Sequence, residues 1–202
     1  MKRHKALSVA AVLALWAGAV NAMPPDLPPG WPLDWPPEAE NAPGLPSANG
    51  PSWIPVEARN HATGASGPAA VLFGIAHERG RYRPASLRVE CFDGVTAVHM
   101  DADGLRLGPW AVAVRLSLDG GGFVAGAWQP STDGTGLVLT GERAVQFAGE
   151  LYGKAELRLA VVRPLSVPFL FTFVVAGAEP GLRPLADRCH WSAGPAISDA
   201  GD

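Results

Sequence analysis

The stretch Leu87-Arg88-Val89-Glu90-Cys91-Phe92-Asp93-Gly94-Val95-Thr96-Ala97-Val98-His99-Met100 decides the fold. Apolar residues stand at Leu87, Val89 and Cys91, then after Asp93-Gly94 at Val95, Ala97 or Val98, and Met100. Period-two alternation broken by Asp-Gly predicts a β-hairpin. Cys91 ends its first strand. The only other cysteine, Cys189, lies 98 positions further on. If the two pair, everything between them is one closed loop and therefore one domain. Such a loop is worth about 4 to 5 kcal/mol in the chain-entropy description of disulfides.

The start of the chain sets the compartment. Met1-Lys2-Arg3-His4-Lys5 is a basic leader, Ala6 to Val20 is apolar apart from Ser8 and Gly18, and Val20-Asn21-Ala22 fits a small-residue cleavage site. Residues 1–22 therefore read as a secretory signal peptide. The apolar run is shorter than the roughly 20 residues of a membrane span. The expected location is periplasmic or secreted, with no stable membrane insertion. Two cysteines in an exported chain are expected to be bonded. Three of the 16 basic residues lie in the leader, so the mature chain has 13 against 19 acidic residues, a net charge of −6. Lys154 is its only lysine. No nucleic-acid partner is expected, because phosphate contact needs clustered positive charge. The arginines at 79, 81, 83 and 88 read as an exposed strand flank.

Residues 23–52 form a proline-rich arm. Eleven prolines fall between Met23 and Pro55. Proline fixes φ and lacks an N–H, so the arm can enter neither a helix interior nor a sheet ladder, and an extended form is expected. Trp31 and Trp35 are unusual in a spacer. They dock on the domain's own surface, engage a partner, or are incidental aromatics in a disordered linker, since such composition rarely orders itself.

Residues 53–191 read as a single β-rich domain and 192–202 as a flexible tail. Ala69 to Ala76 is a buried strand, Arg83-Pro84 precedes the hairpin, and Leu105 to Leu107 is a brief strand. Trp110 to Leu118 alternates, with Arg115 on its polar face, and Phe123 to Trp128 pairs back on it. Leu137 to Thr140 is a strand. Val145, Ala148, Leu151 and Tyr152 recur at helical spacing, which predicts a helix over 142–152 closed by Gly153. Strands follow at 156–163 and 167–175. Glu179-Pro180 opens a last helix that Pro184 would confine to one turn. The order predicts a mainly β fold, an antiparallel sandwich or small barrel with one or two short helices and one disulfide.

No catalytic signature is present: no G-x-S-x-G, no H-E-x-x-H and no phosphate loop. His61, His77, His99 and His190 lack metal-ligand spacing. Asp101-x-Asp103-Gly104 opens like a calcium loop, yet its twelfth position is Val112, so it reads as a turn. No catalytic residue, metal or cofactor is expected. Trp128-Gln-Pro-Ser131-Thr132-Asp133-Gly134 is the most distinctive loop. Ser131 and Asp133 can bond local backbone, and Arg115 can pair with Asp133 or Asp119. The loop is either a recognition site built from Trp128, Arg115 and Asp133 or a braced corner.

At these residues the chain resembles the type VI secretion-associated VasI/TagO family. The resemblance runs over about residues 83–191, through Arg83-Pro84, Leu87, Cys91, Thr96, Arg115, Trp128-x-x-Ser131-x-Asp133, Phe147, Leu151, Phe173, Gly177, Leu185 and Cys189-x-Trp191. It implies an exported accessory protein of that apparatus, or a relative in another envelope role. It brings no catalytic residues, only the cysteine pair and the shared Trp, Ser-x-Asp and Arg positions. Two functions are expected in turn. One is an envelope accessory protein that binds a protein partner, with Arg115, Trp128, Ser131, Asp133, Trp191, Trp31 and Trp35 as candidate contacts. The alternative is a periplasmic inhibitor-type module acting on a cell-wall hydrolase.

Overall fold

The computed structural model describes residues 53–60, 63–107, 112–163 and 167–191. The leader, the arm with Trp31 and Trp35, Trp110 and the tail lie outside the described residues. The elements in order are β1 (Trp53–Arg59), β2 (Ser66–Glu78), β3 (Arg81–Phe92), β4 (Val95–Ala102), β5 (Ala113–Leu118), β6 (Val124–Gly126), β7 (Gln129–Pro130), β8 (Gly136–Thr140), α1 (Glu142–Glu150), β9 (Glu156–Val162), β10 (Phe169–Val174) and α2 (Ala178–Arg188). The ten strands form one sheet in the order β6-β5-β9-β10-β2-β3-β4-β8-β7, with β1 also beside β2. The fold is mainly β and antiparallel, curled into a half-barrel, with two helices and the Cys91–Cys189 disulfide.

The two long strands β2 and β3 are its frame. Asp93 and Gly94 have φ of 51° and 77°, the two positive values of a tight hairpin turn, so β4 returns with Phe92 opposite Val95. Arg79 and Gly80 repeat that geometry at φ of 51° and 74°, joining β2 to β3 with Glu78 opposite Arg81. On its other side β2 is shared. Its first half pairs with β1 and its second with β10.

Register then decides what is buried. Trp53, Leu72, Leu87, Met100 and Leu137 form one row across β1, β2, β3, β4 and β8, and all five are buried. Ala70, Val89, Val98 and Leu139 form the next inward row. This resolves the parity of β4: Val98 faces inward, Ala97 outward. The same core takes in Ala144, Phe147 and Ala148 of α1 and Leu182 and Leu185 of α2. The apolar face of α1 thus centres on Phe147, with Val145 half-buried at its side.

Three expectations change. Leu105 to Leu107 is not a strand; both leucines are buried, and the Leu107 N–H bonds to the Gly134 carbonyl in a coil. β3 starts at Arg81, so Pro84 sits inside it opposite Ile75, not at its start. α2 runs 11 residues through Pro184. Burial of Leu182 and Leu185 and the tie at Cys189 outweigh the one hydrogen bond Pro184 cannot give. α2 also packs closely on β1: a Cβ on Gly181 would lie 2.6 Å from the Trp53 Cβ. The Trp53 indole N–H points to the Val175 carbonyl at 3.4 Å.

The strands at the two ends of the sheet, β6 and β7, are separated in sequence by Ala127 and Trp128 alone. The curl therefore brings its two margins within a two-residue span. Trp128 is buried at that seam, edge-on to Phe147 with ring centroids 5.1 Å apart.

Candidate functional site

The loop after Trp128 is a braced corner. Ser131 Oγ donates to Asp133 Oδ1 at 2.6 Å, and the Thr135 N–H donates to the same oxygen at 3.0 Å. The Gly136 N–H donates to Ser131 Oγ at 2.9 Å. These bonds, led by that from Ser131, pull the Asp133 carboxyl down to about 2. Asp119 is likewise spent on backbone, accepting from the N–H groups of Ala155 and Glu156 at 2.8 and 3.0 Å, which holds its carboxyl low. Neither carboxylate is paired with Arg115, which stands on β5 between Ala125 and Ala160. Trp191 donates its indole N–H to Thr96. The structure thus places Trp128, Ser131, Asp133, Arg115 and Trp191 in four separate settings.

A different surface is assembled by register on the convex side. Ile54, Val71, Arg88, His99 and Val138 form one row across β1, β2, β3, β4 and β8. Val56, Ala69, Glu90, Ala97 and Thr140 form the second, and Phe73, Ser86, Asp101 and Gly136 the third. On the β1–β2 side these rows are apolar, with Ala69 buried, Val71 half-buried and three larger side chains open. Ile54 is 45% exposed, Val56 38% and Phe73 52%. On the β3–β4 side they are charged. Glu90 is 8% exposed and takes Arg88 Nε at 3.1 Å and His99 Nε2 at 2.9 Å. A carboxylate so buried needs such partners. Burial raises the neighbouring Asp101 carboxyl above its ordinary range, against the pull of Arg88 and His99.

The apolar wing was hidden in the sequence. Phe73 lies inside the run Ala69 to Ala76, which reads as continuously buried. The signal that finds it is the register, since Phe73 has the opposite parity to Leu72 and Leu87.

Magnitudes separate the two wings. Fully burying a Val, Ile or Phe side chain contributes about 1.5 to 3 kcal/mol, and these three start roughly half exposed, leaving about 1 kcal/mol each. The buried Glu90 is already paired with Arg88 and His99, and a new ion pair made by the half-exposed Arg88 at the surface contributes about 0 to 1 kcal/mol. The apolar wing can supply binding energy, and the charged wing orientation. Among the described residues, no group of three or more His, Cys, Asp or Glu is placed to hold a metal ion, and no helix is long and apolar enough to cross a membrane.

The fold and this face define a disulfide-closed, mainly β domain with an open, partly apolar convex surface. The chain is similar to the crystal structure of invasion associated protein B from Bartonella henselae, at 15% identity over 68% of this chain and 93% of that one, with a TM-score of 0.45. A likeness at that level carries no argument about activity or partner. No family model matches the chain, and no curated protein matches it.

Proposed function

We propose that this chain is an exported accessory protein of the cell envelope that binds a protein partner through the convex face of β1 to β4. The observation that carries the reading is the open apolar wing of Ile54, Val56 and Phe73 beside the Arg88–Glu90–His99 cluster. Contiguous exposed apolar residues rimmed by polar ones mark interaction surfaces. Export is supported by the leader sequence and by the disulfide, which persists in oxidising compartments. The finer assignment, a place beside a type VI secretion apparatus, is supported by the residues shared with the VasI/TagO family.

Affinity capture from a cross-linked envelope fraction tests the reading. The native protein is compared with Ile54→Asp/Phe73→Asp. Both positions are exposed, so folding should be retained. The expected result is one envelope protein captured in quantity by the native chain and lost from the variant. The same set of proteins on both would overturn the reading.

A further inference from the structure

We infer that the arginine-rich end of the sheet, at the β2–β3 turn, is a second contact site and takes an acidic segment of the partner protein. The inference rests on the reading that the chain binds a protein, and it names the chemistry of part of that protein.

The first observation is where the charge falls. Residues 53–191 hold 13 basic and 13 acidic residues, so their charges cancel in sum. They do not cancel in place. The tight turn at Arg79 and Gly80 puts Arg79 at its tip and Arg81 opposite Glu78, and both arginines are exposed. Arg163, just past β9, comes to the same end, where its Nη2 reaches Glu78 Oε1 at 2.6 Å. Its Nη1 donates to the Arg106 carbonyl at 2.9 Å, which holds the coil after β4 there, and with it the exposed Arg106. Arg83 is bound to the same coil, donating from Nη1 to the Asp103 carbonyl at 3.3 Å. Five arginines thus share one end with two acidic residues, Glu78 and Asp103.

The second observation is that this charge is left open. Among the described residues, Arg163 alone of the five has a carboxylate at ion-pair distance. Arg83 and Arg106 donate to backbone carbonyls. The stretches next in sequence to Arg106 and Arg163, residues 108–111 and 164–166, hold no Asp or Glu. Guanidiniums so grouped repel one another, and a bound carboxylate relieves the repulsion and can be held bidentately. An acidic peptide fits this end better than an anionic lipid surface does. The chain as a whole is acidic, 16 basic against 19 acidic residues, which opposes approach to a broad anionic surface. A flat surface would also meet Glu78 and Asp103 together with the arginines, whereas an extended peptide can set its carboxylates on the guanidiniums alone. Arg79 lies six residues along β2 from Phe73, about 20 Å at roughly 3.3 Å per residue, so one partner can cover both places.

The test titrates the purified chain with fluorescein-labelled deca-glutamate, read by fluorescence anisotropy. The expected result is saturable binding that weakens several-fold from low to physiological salt. Arg79→Gln/Arg81→Gln should weaken it about tenfold. Arg143→Gln/Arg183→Gln, at exposed positions of α1 and α2, removes the same charge and should bind as the native chain does. No binding, or the same loss from both pairs, would overturn the inference. So would phosphatidylglycerol vesicles that bind more tightly than the peptide and are lost from Arg79→Gln/Arg81→Gln, which would assign this end to a lipid surface. In capture from the envelope fraction, Arg79→Gln/Arg81→Gln should retain several-fold less of the partner, and equal retention would overturn the inference. The two readings fail separately. Peptide binding through Arg79 and Arg81 with no envelope protein captured removes the convex-face partner and leaves a site for acidic ligands. Capture of an envelope protein by a chain that binds no deca-glutamate does the reverse.

Discussion

Trp191 donates its indole N–H to Thr96 Oγ1 at 2.6 Å, across 95 residues of chain. Thr96 lies directly opposite Cys91 in the β3–β4 register, and Cys91 is bonded to Cys189. The end of α2 is thus tied to the hairpin at two adjacent points, one covalent and one polar. The Trp191 backbone N–H bonds back to the Ala186 carbonyl of α2 at 2.9 Å, which fixes the indole against the end of that helix.

Removing the disulfide with Cys91→Ala/Cys189→Ala should cost about 2 to 5 kcal/mol, read as a lowered denaturant midpoint. Trp191→Phe should cost about 1 to 3 kcal/mol, because it leaves the buried Thr96 hydroxyl without its donor. The two ties hold the same segment, so their effects should couple and not add. Strict additivity would show that Trp191 and the disulfide act independently.

Trp128 should matter by its volume. Among the described residues its buried indole N–H has no hydrogen-bond partner, so Trp128→Phe gives up no bond there. Trp128→Ala opens a cavity against Phe147 at the seam and should cost about 3 to 5 kcal/mol. Thermal unfolding of both variants decides. Equal losses would mean that the indole nitrogen, not the packing, is what the seam needs.

The corner should show in acid. Asp133 titrates at about 2 in the folded chain, against about 3.9 for an ordinary aspartate. Its folded-state value is depressed, so its contribution is complete above about pH 4 and lost as pH falls towards 2. Ser131→Ala removes the leading cause. The Asp133 titration, followed by carbon NMR, should move up, and the fall in melting temperature between about pH 4 and 2 should become shallower. An unmoved titration would contradict the assigned hydrogen bond.

Pro184→Ala should raise the melting temperature. It restores an N–H inside α2, where proline costs about 3 kcal/mol in a regular helix, and the side chain is exposed. Proline also stiffens the unfolded chain, which offsets up to about 1 kcal/mol. A lower melting temperature would show that the helix depends on the proline ring.

What the sequence made legible was local. Asp93-Gly94 carries its own backbone preference, so the β3–β4 hairpin could be read from those two residues. Arg79-Gly80 makes the same turn, yet arginine is no usual hairpin residue, and the stretch read only as charged. The parity of β4 was open because Ala97 and Val98 are both apolar, and the pairing of Cys91 with Thr96 settled it. The length of α2 was misread because Pro184 is a local signal, whereas Leu182, Leu185 and Cys189 act through distant contacts. The convex face was illegible for the same reason. Ile54, Phe73 and Arg88 are brought side by side only by register.

The most direct measurement is photo-cross-linking in living cells from two equally exposed positions. Benzoylphenylalanine replaces Phe73 in one strain and Val124, 57% exposed on β6, in the other. A convex-face partner site requires a discrete adduct with another envelope protein from position 73 and none from position 124. The same adducts from both positions, or an adduct with another protein from position 124 alone, would contradict it.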